Sequence, residues 1–394
     1  MPFEDVVLAE AKKGMVVIVK ICIAGDLVPT QKNEKIFCEG NIKKNIDKKF
    51  NEIWSNADYR IFNLETPLGE NYKKICKNGP NLIAKSKTIN GIKELNPSLV
   101  CMANNHILDY GVQGLENTQR VLSKANIEFT GIINNVNEDM HGFIFEKDNI
   151  RVGIYNTCEN EFSGATINDK GANVLFESKA YLEILRMKKE CDCVIVIYHA
   201  GKECYRYPSP DLQRICRAFI EFGADFVVTQ HSHCIGCYEV YKNKTIVYGQ
   251  GNFIFDDDDN EFWNTSLLII LNIEKQSVEC EYIPMEKCNS LIKVSEKKRV
   301  LSDFFERSEE IKDQNKIFEK YNEFSRKNLN SYLHICNGKN FLSRVLNVVL
   351  KRKYFIKKYK IQDCLSLYNI VKCEAHRELF LNGLKQRIDE LKNG

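Results

Sequence analysis

The sequence predicts an α/β protein, with a layered sheet-and-helix domain over residues 15–288 and a helical, basic region over residues 289–394. Up to Cys288, short runs rich in Val and Ile alternate with helical patterns. Several of these runs are apolar at successive positions, as expected for strands that helices cover on both faces. After Cys288 the chain has no Pro and little Gly, and Lys, Glu, Leu, Phe and Asn dominate. This change in composition predicts the helical extension.

Eight runs are the strand candidates of the first domain. They span residues 16–26, 59–65, 98–106, 151–157, 193–201, 225–233, 245–256 and 266–274. Two of the stretches between them, 112–126 and 210–223, have helical periodicity. In the second stretch, apolar residues recur at helical spacing from Leu212 to Ile220, and Gly223 is expected to end the helix. Alternation of strands and helices is typical of an α/β domain.

Composition excludes several classes of protein. The 394-residue chain is 44% hydrophobic, which excludes a disordered protein. Its 56 Lys and Arg nearly balance 53 Asp and Glu, so no specific nucleic-acid partner is expected from the overall charge. Sixteen cysteines are scattered through the chain, many in apolar runs, and we expect reduced core residues rather than a disulfide framework. Cys234 and Cys237 have C-x-x-C spacing, but no second pair follows at zinc-ribbon spacing.

The N-terminus does not match a targeting segment. Acidic residues occur at Glu4, Asp5 and Glu10, which is atypical of a signal peptide. The apolar run from Met15 to Ala24 is too short to span a bilayer, which takes about 20 residues. We therefore expect a cytoplasmic protein.

Polar side chains follow the predicted strands at their C-terminal ends, where ligand sites of open α/β sheets lie. They are Asp26, Glu65, Asn105, His106, Asp109, His199, His231, His233 and Asn252. Imidazole, carboxylate and amide groups together are typical ligands of Zn, Mn or Fe. Residues i and i+2 of a strand point the same way, so His231 and His233 are expected to face one site or two adjacent metals. The combination predicts a metal or anion site.

Taken singly, these residues have plainer interpretations. Asp26 could cap a helix, and Glu65 could be a hydrogen-bonded residue of a polar turn. A histidine at the end of a strand is often a surface residue. Asp109 could cap the helix that starts near Gly111. Their shared position at strand ends is what favours a common site.

Five segments resemble, in order, the conserved blocks of the CapA family of capsule synthesis proteins. They are CIAGD (22–26), IFNLETPL (61–68), MANNHILDYGVQGLENT (102–118), YHAGKECYRYPSPDLQR (198–214) and the stretch from GADFVVTQHSH to GNFIFD (223–256). That family is tied to poly-γ-glutamate capsule synthesis and belongs to the calcineurin-like metallophosphatase superfamily. The resemblance covers about residues 16–285.

The resemblance implies a four-layer α/β/β/α sandwich of the metallophosphoesterase type, with one or two divalent ions of Mn, Fe or Zn. The positions that match its metal ligands are Asp26, Glu65, Asn105, His199, His231 and His233. By the same resemblance, His106 protonates the leaving group and Asp109 orients the imidazole of His106. Asn104, Glu203 and Asn252 are the expected substrate-binding residues.

Three positions depart from the superfamily pattern. Val28 stands where a histidine ligand is usual, so the first metal would lose a nitrogen ligand. Glu65 replaces the bridging aspartate and adds one methylene of reach. Ser232 replaces the proline that usually separates the paired histidines. The loss at Val28 leaves open whether the site holds two metals.

The segment Lys339–Lys360 carries eight basic residues and no acidic one. Apolar residues from Phe341 to Leu350 alternate with these bases and predict an amphipathic helix. This helix could pack on the first domain or bind an acidic polymer, an anionic lipid surface or nucleic acid. The expected polyanion-binding residues are Lys351, Arg352, Lys353, Lys357 and Lys358.

The function that we expect is metal-dependent hydrolysis of phosphoester bonds, in capsule or poly-γ-glutamate metabolism. The substrate would be an acidic polymer or a phosphorylated small molecule, and capsule-synthesis proteins or a membrane surface are the other expected partners. One alternative is a non-enzymatic, polyanion-binding or assembly protein with a degenerate metal site. Another is a γ-glutamyl amide hydrolase. The oligomeric state is not predicted.

Overall fold

The computed structural model describes residues 17–256, 260–275, 277–336, 341–351, 353–372, 376, 380–381, 384 and 388–392. The chain forms two compact units, residues 1–317 and 318–394. The candidate site lies in the first unit, whose sheets position it.

The strands of the first unit alternate with helices along the chain. They are β1 (Val19–Val28), β2 (Tyr59–Leu64), β3 (Leu99–Cys101), β4 (Phe129–Thr130), β5 (Ile132–Ile133), β6 (Phe143–Lys147), β7 (Ile150–Cys158), β8 (Gly171–Ala172), β9 (Cys193–His199), β10 (Phe226–Gln230), β11 (Ile235–Tyr241), β12 (Lys244–Gln250), β13 (Asn252–Phe255), β14 (Thr265–Ile273), β15 (Val278–Cys288) and β16 (Leu291–Val294).

The helices are α1 (Glu34–Glu39), α2 (Ile42–Asn45), α3 (Lys48–Ser55), α4 (Ile89–Glu94), α5 (Gly111–Lys124), α6 (Glu177–Glu190), α7 (Pro210–Glu221), α8 (Lys298–Glu310), α9 (Gln314–Cys336), α10 (Phe341–Val349), α11 (Tyr354–Lys358) and α12 (Ile361–Lys372). Ser86–Thr88 and Glu261–Asn264 form short 3₁₀ helices. Pro210 occupies the first turn of α7, and the side chain of Ser209 caps it by accepting from the Leu212 amide.

Two large sheets form the first unit. The first has the order β16-β15-β14-β1-β2-β3-β4, with β13 also paired to β1, and the second has the order β11-β12-β10-β9-β7-β6. Strands β1 to β4 are parallel, and so are β7, β9, β10 and β12. Because parallel strands end at the same edge, each sheet brings the residues after its central strands together.

Alternating side chains divide the core into three layers. In β1, Ile21 and Ile23 face the core between the sheets, while Cys22 faces the helices α1 to α5 on the outer side. In β9, Ile195 faces the core between the sheets, while Val194 faces α6 and α7. Both faces of each sheet are therefore buried, which explains the continuous apolar runs. The predicted four-layer α/β/β/α order is confirmed.

The first unit extends beyond the expected boundary at Cys288. β16 pairs with β15, and Phe304 of α8 is fully buried in the core between the sheets. The units divide after Ile317 instead, within α9. In the part of 289–394 that the structure describes, the chain forms the strand β16 in addition to the helices α8 to α12.

The basic segment differs from the single amphipathic helix that we expected. It forms α10 and α11, and Lys351 between them has a left-handed φ of 51°, which interrupts the helix. Arg352 lies outside the described residues. No helix in the described parts of the chain is long and apolar enough to cross a membrane. The cysteines whose side chains are described are free thiols, including Cys234 and Cys237.

Candidate metal centre

Five of the predicted ligands meet where the strand ends of the two sheets face each other. From the first sheet come Asp26, in β1, and Glu65, directly after β2. From the second sheet come His199, the last residue of β9, and His231 and His233, directly after β10. All five residues are buried.

These side chains form two groups. Within each group, the ligand atoms all lie within 4.8 Å of one another. One group consists of Glu65, His199 and His231, and the other of Asp26, Glu65 and His233. Glu65 belongs to both. A carboxylate shared in this way is the arrangement expected where one group bridges two adjacent cations.

The paired histidines reach the two groups through a turn and not through a strand. β10 ends at Gln230, and His231 and His233 have φ values of 82° and 53°. The alternation of side chains along a strand therefore does not explain their placement. The turn sends His231 toward one group and His233 toward the other.

The surroundings of the Glu65 carboxylate show whether the site fits a cation. Its side chain is fully buried, and among the described residues neither carboxylate oxygen accepts a hydrogen bond. The Nε2 atom of His199 lies 3.2 Å from Oε1, within ion-pair distance. A buried carboxylate without hydrogen-bond donors is costly unless a positive charge lies beside it, so these residues fit a divalent cation.

Asp26 is held by its neighbours in the first sheet and by the turn. Asn63 Nδ2 donates to its Oδ1 at 2.8 Å, and the His231 amide donates to its Oδ2 at 3.3 Å. Burial raises the pKa of Asp26, and the nearby charge of Glu65 raises it further. A bound cation would neutralise the negative charge of these two buried carboxylates.

The remaining charges of the cluster also depend on one another. Burial opposes the ionised form of Glu65, but the imidazoles of His233 and His199 outweigh it and hold the pKa of Glu65 below its usual range. Burial likewise lowers the pKa of His199, and the charge of Glu65 more than compensates and raises it. Burial and the neighbouring imidazoles lower the pKa of His231, which favours a neutral ligand nitrogen.

Asn252 orients His233. Its Oδ1 lies 2.9 Å from His233 Nδ1, and the strand pairing of β13 with β1 places it opposite Asp26. Because an amide oxygen only accepts, this contact puts the proton on Nδ1 and leaves Nε2 for a ligand. The ring of Trp263 packs against the imidazole at 4.6 Å between centroids. The predicted substrate-binding role of Asn252 stays a prediction.

Asn105 joins the group that contains His199. Its Oδ1 lies 3.1 Å from His199 Nε2, and its Nδ2 donates to Glu161 Oε2 at 2.7 Å. The amide oxygen therefore points at the cluster, as a ligand would. Glu161 was not expected at the site, because it lies in the loop after β7, where the sequence has no motif of its own.

His106 and Asp109 form a pair beside the cluster. His106 Nδ1 lies 2.7 Å from Asp109 Oδ2 and 3.2 Å from Lys77 Nζ. Because the Asp109 carboxylate only accepts, the shorter contact assigns a proton to Nδ1, and Nε2 is the nitrogen that remains to exchange a proton with a substrate. Asp109 does not cap α5, whose N-cap is Tyr110 without a side-chain bond. The alternative of a helix cap is therefore wrong.

A buried lysine completes this pair, and sequence reasoning missed it. Lys77 Nζ lies 2.5 Å from Asp109 Oδ1, and the Lys77 side chain is only 2% exposed. The Leu82 amide donates to the other oxygen of Asp109 at 2.6 Å. A lysine in an irregular loop carries no pattern, and only its burial in the folded chain reveals it.

Two predicted substrate-binding residues differ in their surroundings. The Asn104 side chain donates to Asn63 Oδ1 and the Leu64 carbonyl, and accepts from the His106 amide. These bonds hold the loop after β3 to the end of β2. Glu203 is exposed in the loop after β9, and no described contact joins it to the cluster.

The family of the chain follows from its match over residues 20–257 to the family model described as bacterial capsule synthesis protein PGA_cap. The chain belongs to this family. The matched region of this PGA_cap chain contains every residue of the two ligand groups.

Two curated proteins of Bacillus species are similar to part of the chain. The capsule biosynthesis protein CapA of Bacillus anthracis is 30% identical over 212 residues, which are 51% of this chain and 51% of that protein. The PGA biosynthesis protein CapA of Bacillus subtilis is 27% identical over 244 residues, 61% of this chain and 64% of that protein. The chain thus spans about half to two thirds of the length of these relatives.

Solved structures are similar at a lower level. A phosphatase of Mycoplasma pneumoniae has 16% identity and a TM-score of 0.44, over 74% of this chain and all of that one. The 5'-nucleotidase of Candida albicans has 13% identity and a TM-score of 0.38, over 67% of this chain and 51% of that one. These two similarities say nothing about the chemistry of the candidate site.

Proposed function

We propose that this PGA_cap chain is a divalent-metal-dependent hydrolase of phosphoester bonds that acts in capsule or poly-γ-glutamate metabolism. The observation that carries the proposal is the position of Glu65, a fully buried carboxylate shared by two groups of imidazole and carboxylate ligands. The names of the two Bacillus relatives refer to capsule and PGA biosynthesis, which supports the metabolic setting.

We assign separate roles to the residues that would hold the cations and to the residue that would donate a proton. Asp26, Glu65 and His233 would hold one cation, and Glu65, Asn105, His199 and His231 would hold the other. When bound, Mn, Fe or Zn supplies Lewis-acid chemistry that stabilises negative charge on phosphoryl oxygens. His106 Nε2 holds the proton that the leaving oxygen receives, while Asp109 keeps the ring in place through Nδ1. Water is the second substrate and supplies the oxygen that replaces the leaving oxygen on phosphorus, and burial of the cluster strengthens the interaction of the site's charges with the reacting group.

The test is turnover of an unactivated alkyl phosphodiester, whose alkoxide leaving group needs a proton, with Mn, Fe or Zn added, by the wild type and His106→Ala. Loss of the proton donor is expected to reduce kcat by about 10²–10⁴-fold. The control is His141→Ala, since the His141 side chain is 72% exposed on another part of the fold. Equal turnover by wild type and His106→Ala would contradict the assigned role of His106.

A second candidate is a non-enzymatic assembly or polyanion-binding protein. Val28, buried two residues after Asp26 on β1, favours it, because this side chain supplies no nitrogen ligand to the group of Asp26, Glu65 and His233. Absence of turnover in protein that holds its metal, together with retention of poly-γ-glutamate, would support this candidate. A substrate panel that includes γ-glutamyl amides tests the third candidate, amide hydrolysis, in the same experiment.

A further inference from the structure

The helix α10 in the second unit exposes its apolar face. Among its nine residues, the side chains that share this face are 45–76% exposed: Phe341, Leu342, Val345, Val348 and Val349. Leu346, beside them, is 44% exposed. A helix of a globular protein normally turns such a face toward the core.

The polar face of the same helix points inward. Ser343 and Asn347, one turn apart, are partly buried, and Asn347 Oδ1 accepts a hydrogen bond from the Tyr354 amide at 3.2 Å. The contact fastens α10 to the start of α11 through its polar side. The orientation of α10 is thus the reverse of that expected for a helix whose outer face meets water.

Positive charge accompanies the exposed apolar face. Arg344 lies on α10, and Lys351, Lys353, Lys357 and Lys358 follow it, all exposed. The segment 339–360 contains no acidic residue. Basic residues beside an apolar helical face are the combination that binds anionic lipid surfaces.

We infer that α10, with the basic residues that follow it, is a docking surface for an anionic membrane. The helix would lie in the plane of the interface, with Phe341, Leu342 and the valines among the acyl chains and the lysines at the headgroups. An acidic polymer in water would satisfy the lysines but leave the apolar face exposed. The apolar face therefore favours a lipid surface over a soluble polyanion. The inference does not depend on the proposed metal chemistry.

The test is co-sedimentation of the full chain with phosphatidylcholine vesicles that contain or lack phosphatidylglycerol. The wild type is expected to bind the anionic vesicles at least about tenfold more strongly than the neutral ones, with binding that weakens as salt rises. Val348→Glu combined with Val349→Glu places charge on the exposed face and is expected to abolish sedimentation. Because both residues are exposed, the fold should persist, as circular dichroism would verify.

The matched control is Leu365→Glu, on α12, where an apolar side chain is 54% exposed and the sequence from 361 to 371 contains no basic residue. This variant is expected to bind vesicles like the wild type. Three results would overturn the inference. They are vesicle binding unchanged by the double substitution on α10, binding to poly-γ-glutamate but to no vesicle, and self-association that the double substitution removes while vesicle binding is absent.

Discussion

Lys77 and Asp109 form a buried ion pair, with 2.5 Å between Nζ and Oδ1 and side-chain exposures of 2% and 0%. They lie in different loops of the first sheet, 32 positions apart. The other oxygen of Asp109 holds His106, and Lys77 Nζ also lies 3.2 Å from His106 Nδ1, so the lysine positions the predicted proton donor both directly and through the carboxylate. Lys77 Nζ also lies 5.0 Å from the centre of the Phe162 ring, which further encloses it.

Replacing Lys77 by Met should destabilise the fold. The substitution leaves Asp109 buried with an uncompensated charge, which typically costs about 3–5 kcal/mol of unfolding free energy. Adding Asp109→Asn removes that charge and should recover part of the loss. Urea denaturation of the two single variants and the double variant measures the coupling. Lys35→Met is the control, since its ion pair with Glu39 is exposed and is worth less than about 1 kcal/mol. A Lys77→Met effect as small as that of the control would refute the role of the pair.

Asn252→Ala should weaken metal binding without unfolding the chain. The Asn252 amide oxygen fixes the proton of His233 on Nδ1, and removal of such a partner typically lowers metal affinity by about 10–100-fold. Asn252→Asp, which keeps the acceptor, should restore most of the affinity. Competition with a chromogenic chelator measures it. The control Asn272→Ala alters an asparagine on the sheet surface that bonds Glu281. Unchanged affinity in Asn252→Ala would exclude Asn252 from the site.

The carboxyl of Glu183 is expected to make a pH-dependent contribution to the stability of the fold. Burial raises the pKa of its carboxyl, but bonds from Arg186 and the Gly142 amide outweigh burial and lower it. A carboxyl whose pKa is lower in the folded state stabilises above its unfolded pKa of about 4.3, and that stability disappears as pH falls.

Glu183→Gln should therefore cost about 1–2 kcal/mol at pH 7, and the difference from wild type should shrink below about pH 4. Thermal or urea unfolding across this pH range measures it. Glu190→Gln is the control, because Glu190 contacts the same arginine but is 42% exposed. A difference between Glu183→Gln and wild type that does not change with pH would contradict the assignment.

The residues of the two candidate ligand groups could be placed near one another from the sequence because they lie at or just after the ends of buried strands. Asp26, Glu65 and His199 end apolar runs, and parallel strands carry their ends to one edge. Lys77 and Glu161 could not be predicted, because loops place them through contacts with residues distant in the chain. No local pattern marks such positions.

The fold was also only partly predictable. β15 alternates polar residues and contains Pro284, which argues against a strand. The proline is tolerated because it only has to accept on the side of β16: the ladder with β16 begins at Met285, and the Pro284 carbonyl accepts from the Ser295 amide at 2.8 Å. The division after Ile317 was missed because α8 is amphipathic like the tail helices, and the sequence does not show that Phe304 of α8 packs into the core between the two sheets.

The most direct test of the account is the metal content of the chain purified without chelator, compared with that of Glu65→Gln. Glu65 belongs to both ligand groups, so its neutral isostere should lose most of the metal. Glu183→Gln, a buried carboxyl outside the cluster, is the control and should retain it. Plasma mass spectrometry is expected to find about one or two equivalents of Mn, Fe or Zn in the wild type. Well under one equivalent in the wild type, or equal content in folded Glu65→Gln, would contradict the metal centre.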